Sequence, residues 1–151
     1  MRCFAVSCCL VLLAACAKPE QKAADSGAAM GAGATSIAIA DVAGKWAMKT
    51  MAQGSDSVLV SYEMVAGADA NGWSFNFPQR ELIPIRVLAV AGDSIVTEAG
   101  PYPSVLRKGV QVNSHSVLRL QDGKLEGITV ATYSSGPDPV ITLRTEGTRA
   151  P

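Results

Sequence analysis

The sequence predicts an all-β domain: an antiparallel up-and-down meander of about eight strands that forms a small closed or nearly closed barrel. Three observations predict it. From Asp41 onward, short apolar runs alternate with polar residues at a period of two. The runs are separated by compact turn compositions. No apolar stripe at helical spacing extends through this part of the chain.

The strands read, in order, as residues 45–51, 57–65, 73–77, 84–90, 94–98, 110–120, 124–133 and 140–145. In the second, Val58, Val60, Tyr62 and Met64 share a face opposite Ser57, Ser61 and Glu63, with Leu59 breaking the pattern. In the sixth, Val110, Val112, Leu118 and Leu120 oppose Gln111, Asn113, His115, Arg119 and Gln121. Asp69-Ala70-Asn71-Gly72, Ala91-Gly92-Asp93, Gln121-Asp122-Gly123 and Gly136-Pro137-Asp138-Pro139 are turn chemistry: glycine reaches positive φ, and proline presets its own. Short turns make successive strands antiparallel neighbours. Eight of them suffice to close a barrel and so remove exposed edges.

Ahead of the strands the chain has a different character. Arg2 precedes an apolar stretch from Phe4 to Ala15, interrupted only by Ser7 and the Cys8-Cys9 pair. A charged start, a short apolar run and small residues at its end have the build of a secretory signal peptide, too short for a spanning helix of about 20 residues. Leu13-Ala14-Ala15-Cys16 resembles the bacterial lipobox. That resemblance implies diacylglycerol on the Cys16 thiol, cleavage before it (removing residues 1–15) and N-acylation of the new terminus. Two or three acyl chains anchor firmly, since each buried CH₂ contributes about 0.8 kcal/mol. Ala17 after the cysteine, rather than Asp, implies sorting to the periplasmic face of the outer membrane. Residues 16–40 then form the lipidated cysteine and an Ala/Gly/Ser-rich tether, with the barrel domain at 41–151.

At the first strand a second resemblance stands in Asp41-Val42-Ala43-Gly44-Lys45-Trp46. Gly44-Lys45-Trp46 is similar to the Gly-x-Trp opening of the lipocalin and calycin barrels. The resemblance implies that Trp46 packs at the closed end, with an arginine from near the last strand stacked against it. Arg144 and Arg149 are the two candidates, and the role is structural.

Composition narrows the chemistry. The 151 residues hold 13 Lys+Arg and 13 Asp+Glu, too balanced for a surface that tracks phosphate backbones, so nucleic acid is not an expected partner. Cys3, Cys8, Cys9 and Cys16 are the only cysteines, leaving the domain neither disulfide nor thiolate site. His115, the single histidine, falls on a polar strand face and has no ligand-spaced neighbours. Of Glu63, Asp69, Glu81, Asp93, Glu98 and Glu126, most sit at turns or on polar faces and read as solvated surface, although a pair could meet in space. No phosphate loop or EF-hand spacing is found, and the expectation is a protein that is not an enzyme and carries no cofactor or metal.

The remaining signals concern binding. Ser114 and Ser116 lie on the apolar face of the sixth strand, and Gly127 interrupts the seventh. Small residues there either leave a cavity or make room for an aromatic neighbour. Ala99-Gly100-Pro101-Tyr102-Pro103-Ser104-Val105-Leu106-Arg107-Lys108-Gly109 is too long for a tight hairpin. It either flanks the barrel mouth or serves as a stiff connector. Tyr62, Trp73, Tyr102, Ser114 and Ser116 are thus the candidate ligand-binding residues. Two readings follow: an envelope lipoprotein binding a small apolar or amphipathic molecule, or a solid barrel that docks another envelope protein.

Overall fold

The computed structural model describes residues 36–151. The expected signal peptide, Cys16 and most of the expected tether lie outside the described residues. A single 3-10 turn, Ile39–Val42, leads into eight strands: β1 Gly44–Ala52, β2 Val58–Ala66, β3 Trp73–Asn76, β4 Ile83–Ala91, β5 Ser94–Pro103, β6 Gln111–Gln121, β7 Lys124–Tyr133 and β8 Val140–Arg149. Each pairs antiparallel with its successor, and β8 returns to β1 from Trp46↔Arg149 through Ala52↔Leu143, so the barrel is closed. Ile37 is buried, and its N–H donates to the Gly92 carbonyl at 2.9 Å, so the folded unit begins by that residue.

The turns close as their composition requires. Between β6 and β7, Asp122 and Gly123 both take positive φ, 49° and 74°, the two left-handed residues of a tight hairpin whose twist matches the strands. Two strands run four or five residues longer than the sequence pattern suggests. β8 continues from Thr145 to Arg149 because Glu146, Gly147, Thr148 and Arg149 pair with β1, three of them also with β7, although little apolar alternation marks them. β5 continues from Glu98 to Pro103 across an irregularity between Ala99 and Tyr102. The segment at Pro101 and Pro103 is therefore wall, not loop. A proline lacks a ladder donor but is tolerated at a bulge or at an edge.

Alternation sorts the side chains. Near the ends of β1, β2 and β3 that meet the 3-10 turn, Trp46, Met48, Met64, Trp73, Phe75, Ile95, Leu118 and Leu125 form the main core. A second cluster at the opposite end holds Val112, Ala131, Tyr133 and Leu143. Following the inward positions of β6, β7 and β8, the residues between the two clusters are Ser114 and Ser116, Thr129, and Thr145, all buried. The barrel interior is thus apolar, then hydroxylic, then apolar again.

The first end is sealed by Trp46. It is fully buried, and its indole N–H donates to the Val42 carbonyl at 2.8 Å. The Arg149 guanidinium carbon lies 4.4 Å from its ring, and the same group donates to the Ala43 carbonyl and to the Asp41 carbonyl at 2.6 Å. Of the two arginines offered by the sequence, Arg149 takes the stacking role. Register decides it: Arg149 stands opposite Trp46, while Arg144 stands opposite Met51, five residues or about 16 Å along the strand. Arg144 instead bonds Asp56 at 2.7 Å and Glu146 at 2.6 Å at the other end of the barrel.

The glycines of β7 and β8 do not open space. A Cβ on Gly147 would lie 2.4 Å from the Met48 sulfur, and one on Gly127 would lie 2.0 Å from the Val117 carbonyl oxygen. Gly147 makes room for a neighbouring side chain. Gly127 permits close approach of two strands.

Candidate functional site

The interior void sits at the end opposite Trp46. Its walls are Val60, Tyr62, Phe75 and Phe77 on one side and Val112, Ala131, Tyr133 and Leu143 on the other, with Tyr102, Ser114, Thr50 and Thr129 between them. About 50 Å³ is open to the centre of a water molecule. A cavity needs at least about 10–15 Å³ to hold a single water, so this space admits water or a very small guest. No Asp, Glu, Lys, Arg or His lines it.

A bulge aims Tyr102 into this space. Ile95, Thr97 and Ala99 alternate inward along β5, so strict alternation would next turn Pro101 inward and leave Tyr102 outside. The register shift between Ala99 and Tyr102 adds a residue, Gly100 and Pro101 both face out, and Tyr102 points in. Gly100 has φ of 122°, and a Cβ there would stand 2.7 Å from the Val112 carbonyl oxygen. Only glycine fits that turn of the wall.

Inside, the aromatic rings pack edge and tilted. Tyr62 lies 5.1 Å from Phe75 and 4.9 Å from Phe77, and Phe77 lies 6.1 Å from Tyr102. Below them runs a chain of hydroxyls. Thr50 and Thr145 Oγ1 atoms are 3.5 Å apart, Thr145 and Thr129 2.8 Å, and Thr129 Oγ1 and Ser116 Oγ 2.9 Å. The Tyr102 hydroxyl donates to Ser114 Oγ at 3.4 Å. Tyr62 is half-buried by area, but its hydroxyl is the buried end. Burial pushes its pKa up to about 12, with the Thr50 hydroxyl pulling the other way. Burial raises Tyr102 as well, against its bond to Ser114. Both phenols stay neutral at physiological pH.

A lid covers the void. Residues 104–110 cross the barrel end, and Val105 and Leu106 face the cavity. Ser104 is buried and holds the loop's shape: its Oγ accepts from the backbone N–H of Leu106 at 3.1 Å and of Arg107 at 3.0 Å, and its own N–H donates to the Val110 carbonyl at 2.8 Å. Arg107 fastens the lid across the mouth. Its guanidinium carbon lies 3.9 Å from the Tyr133 ring centroid, and it donates to the Pro137 carbonyl at 2.7 Å and the Asp138 carbonyl at 3.0 Å. From the opposite side, Arg80 donates to the Pro103 carbonyl at 2.7 Å.

Of the residues the sequence put forward, Tyr62, Tyr102 and Ser114 meet at the cavity. Trp73 and Ser116 do not line it. Trp73 belongs to the core at the Trp46 end, where its indole N–H donates to the Asp69 carbonyl at 2.7 Å. Ser116 lies one inward position deeper than Ser114 on β6, bonded to Thr129. Sequence reasoning missed Thr50 and Thr129, although both occupy inward positions of alternating strands. His115 faces outward, and Glu63, Glu98 and Asp93 pair with Lys45, Arg86 and Arg119 on the outer surface. Among the described residues, no group of three or more His, Cys, Asp or Glu is placed to hold a metal ion.

Outside the wall, behind Tyr102, a second hollow of about 610 Å³ lies between β4 and the end of β5, edged by Arg80, Leu82, Pro84, Glu98, Pro101 and Pro103. Comparison with protein-family models, with curated proteins and with solved structures gives no match to the chain.

Proposed function

We propose that this chain is an envelope lipoprotein, held by lipid on Cys16 at the periplasmic face of the outer membrane, whose lipocalin-like barrel carries a small apolar or amphipathic molecule under its lid. The binding half of this reading is carried by one observation: an apolar-walled cavity that ends on buried hydroxyls beneath a fastened loop. Apolar walls with a few convergent polar groups are the usual build of a small-molecule site. The volume beneath the lid suits a guest of a few heavy atoms, and a larger one requires Leu106, 38% exposed at the lid, to give way. The anchoring half rests on Leu13-Ala14-Ala15-Cys16. The Gly44-Lys45-Trp46 opening and the Arg149 stack support the lipocalin likeness.

The test is native mass spectrometry of residues 17–151, which hold every strand and both core clusters, after exposure to envelope extract. A discrete adduct that survives desalting is expected. A bare mass from folded protein contradicts the carrier reading. For the anchor, Cys16→Ser shifts the protein out of the membrane fraction; unchanged fractionation refutes lipidation.

The outer hollow favours a second reading, a barrel that docks another envelope protein at Pro101 and Pro103. Leu82, 63% exposed on its rim, gives the discriminating variant. On this second reading, Leu82→Glu abolishes capture of an envelope partner. On the carrier reading it leaves the adduct unchanged.

A further inference from the structure

The hydroxyl chain that closes the inner end of the cavity is uncharged and can present either a donor or an acceptor to a guest. Thr50, Thr145, Thr129 and Ser116 bring four hydroxyl protons and share three hydrogen bonds. A hydroxyl donates once and accepts twice. One proton is therefore left to point out of the chain, and it can leave from either end. The Thr50 end opens on the cavity beside Tyr62, and the Ser116 end does not. If every bond runs toward Thr50, that residue donates into the cavity. If every bond reverses, its oxygen stands ready to accept. The two states differ by rotation of hydroxyls, and in the second the spare proton sits on buried Ser116.

We propose that this relay is the polar subsite of the cavity and that it selects an uncharged hydrogen-bonding group, an alcohol, phenol, ketone or amide, at one end of an otherwise apolar guest. The inference rests on the carrier reading above. A neutral group is satisfied whichever way the relay runs. A carboxylate or ammonium is not: no side chain of opposite charge lines the cavity, and burying an ion there without one is far costlier than burying a neutral polar group. The surrounding rings supply the apolar contacts, and Tyr102 with Ser114 offers a further neutral donor and acceptor at the mid-height of the wall.

Thr145 provides the decisive variant. It is buried, it joins the Thr50 and Thr129 bonds, and it does not line the cavity. Thr145→Val keeps the shape and β-branching while cutting the relay, so Thr145 is a positioning residue. The experiment titrates residues 17–151 with toluene, benzyl alcohol, benzamide, benzoate and benzylamine at pH 7, read by amide shifts in two-dimensional NMR. Benzyl alcohol and benzamide are expected to bind at least about tenfold more tightly than benzoate or benzylammonium. In Thr145→Val the Thr50 hydroxyl loses the partner that aims it, and alcohol affinity falls severalfold while toluene is unchanged. If that variant does not fold, Thr50→Val removes the hydroxyl at the cavity end of the relay, and the wild-type ranking stands as a test alone. Equal binding of benzoate or benzylammonium, or an alcohol affinity untouched by cutting the relay, overturns the inference while leaving the carrier reading in place. If no probe shifts the residues of the cavity, this inference falls, and the carrier reading is then decided by the adduct in native mass spectrometry.

Discussion

The two ends of the barrel are closed by the same chemistry put to different use. At one end Arg149 lies on Trp46 and bonds the carbonyls of Ala43 and Asp41. At the other Arg107 lies on Tyr133 and bonds the carbonyls of Pro137 and Asp138. In both, a planar cation covers an aromatic face while its N–H fork takes up free carbonyl oxygens. What differs is the material beneath. Trp46 is fully buried in continuous core, and Arg149 is itself a ladder residue paired across to β1. Arg107 sits in a loop above a void, and the loop's next apolar residue, Leu106, is partly in solvent. An arginine clamp over packed core locks the fold, and the same clamp over a cavity fastens a lid.

Mutations divide along that line. Trp46→Ala carries the largest expected loss, roughly the 3–5 kcal/mol of a buried Trp, in urea unfolding of residues 17–151. A loss below about 1 kcal/mol would mean the Trp46 end is not the keystone. Alkali comes next and acts at the cavity. The unfolded Tyr62 ionises near 10 and the folded one near 12, so its stabilisation is whole below pH 10. It is lost as pH rises from 10 through 12, at most about 1.4 kcal/mol per pH unit for one proton. Tyr62→Phe should flatten that fall, and an unchanged alkaline slope would show that the Tyr62 hydroxyl is not buried. Arg149→Ala should cost about 1–3 kcal/mol, the stack and its carbonyl bonds together. Arg107→Ala, on a solvent-facing loop, should cost under about 1 kcal/mol yet speed exchange of a bound guest. Similar losses from the two arginine variants would erase the distinction between the ends.

The legible part of this molecule was the part governed by local pattern. Alternation and turn residues marked all eight strands, and β7 has the same bounds in sequence and structure, Lys124–Tyr133. Trp46 stood out because Gly44-Lys45-Trp46 resembles a Gly-x-Trp barrel opening. The extension of β5 was hidden because Pro101 and Pro103 read as loop chemistry, and only the bulge reconciles them with a wall. The tail of β8 was hidden because its residues are held by partners on both sides rather than by their own apolarity. At the cavity, a period of two showed that Ser114 faces in. It could not show whether space lies in front of it, since volume depends on what distant strands contribute. Thr50 and Thr129 were passed over for the same reason: an inward threonine in a strand is ordinary until Thr145 and Ser116 join it in a chain.

The most direct test is hydrogen–deuterium exchange of residues 17–151, comparing amides of 104–110 with those of β1 and β8 near Trp46 and Arg149, with and without a bound guest. The lid amides are expected to exchange orders of magnitude faster than those at the Trp46 end, and a guest should slow the lid while leaving that end unchanged. Equal protection at the two ends, or a guest that slows neither, would contradict a barrel locked at one end and gated at the other.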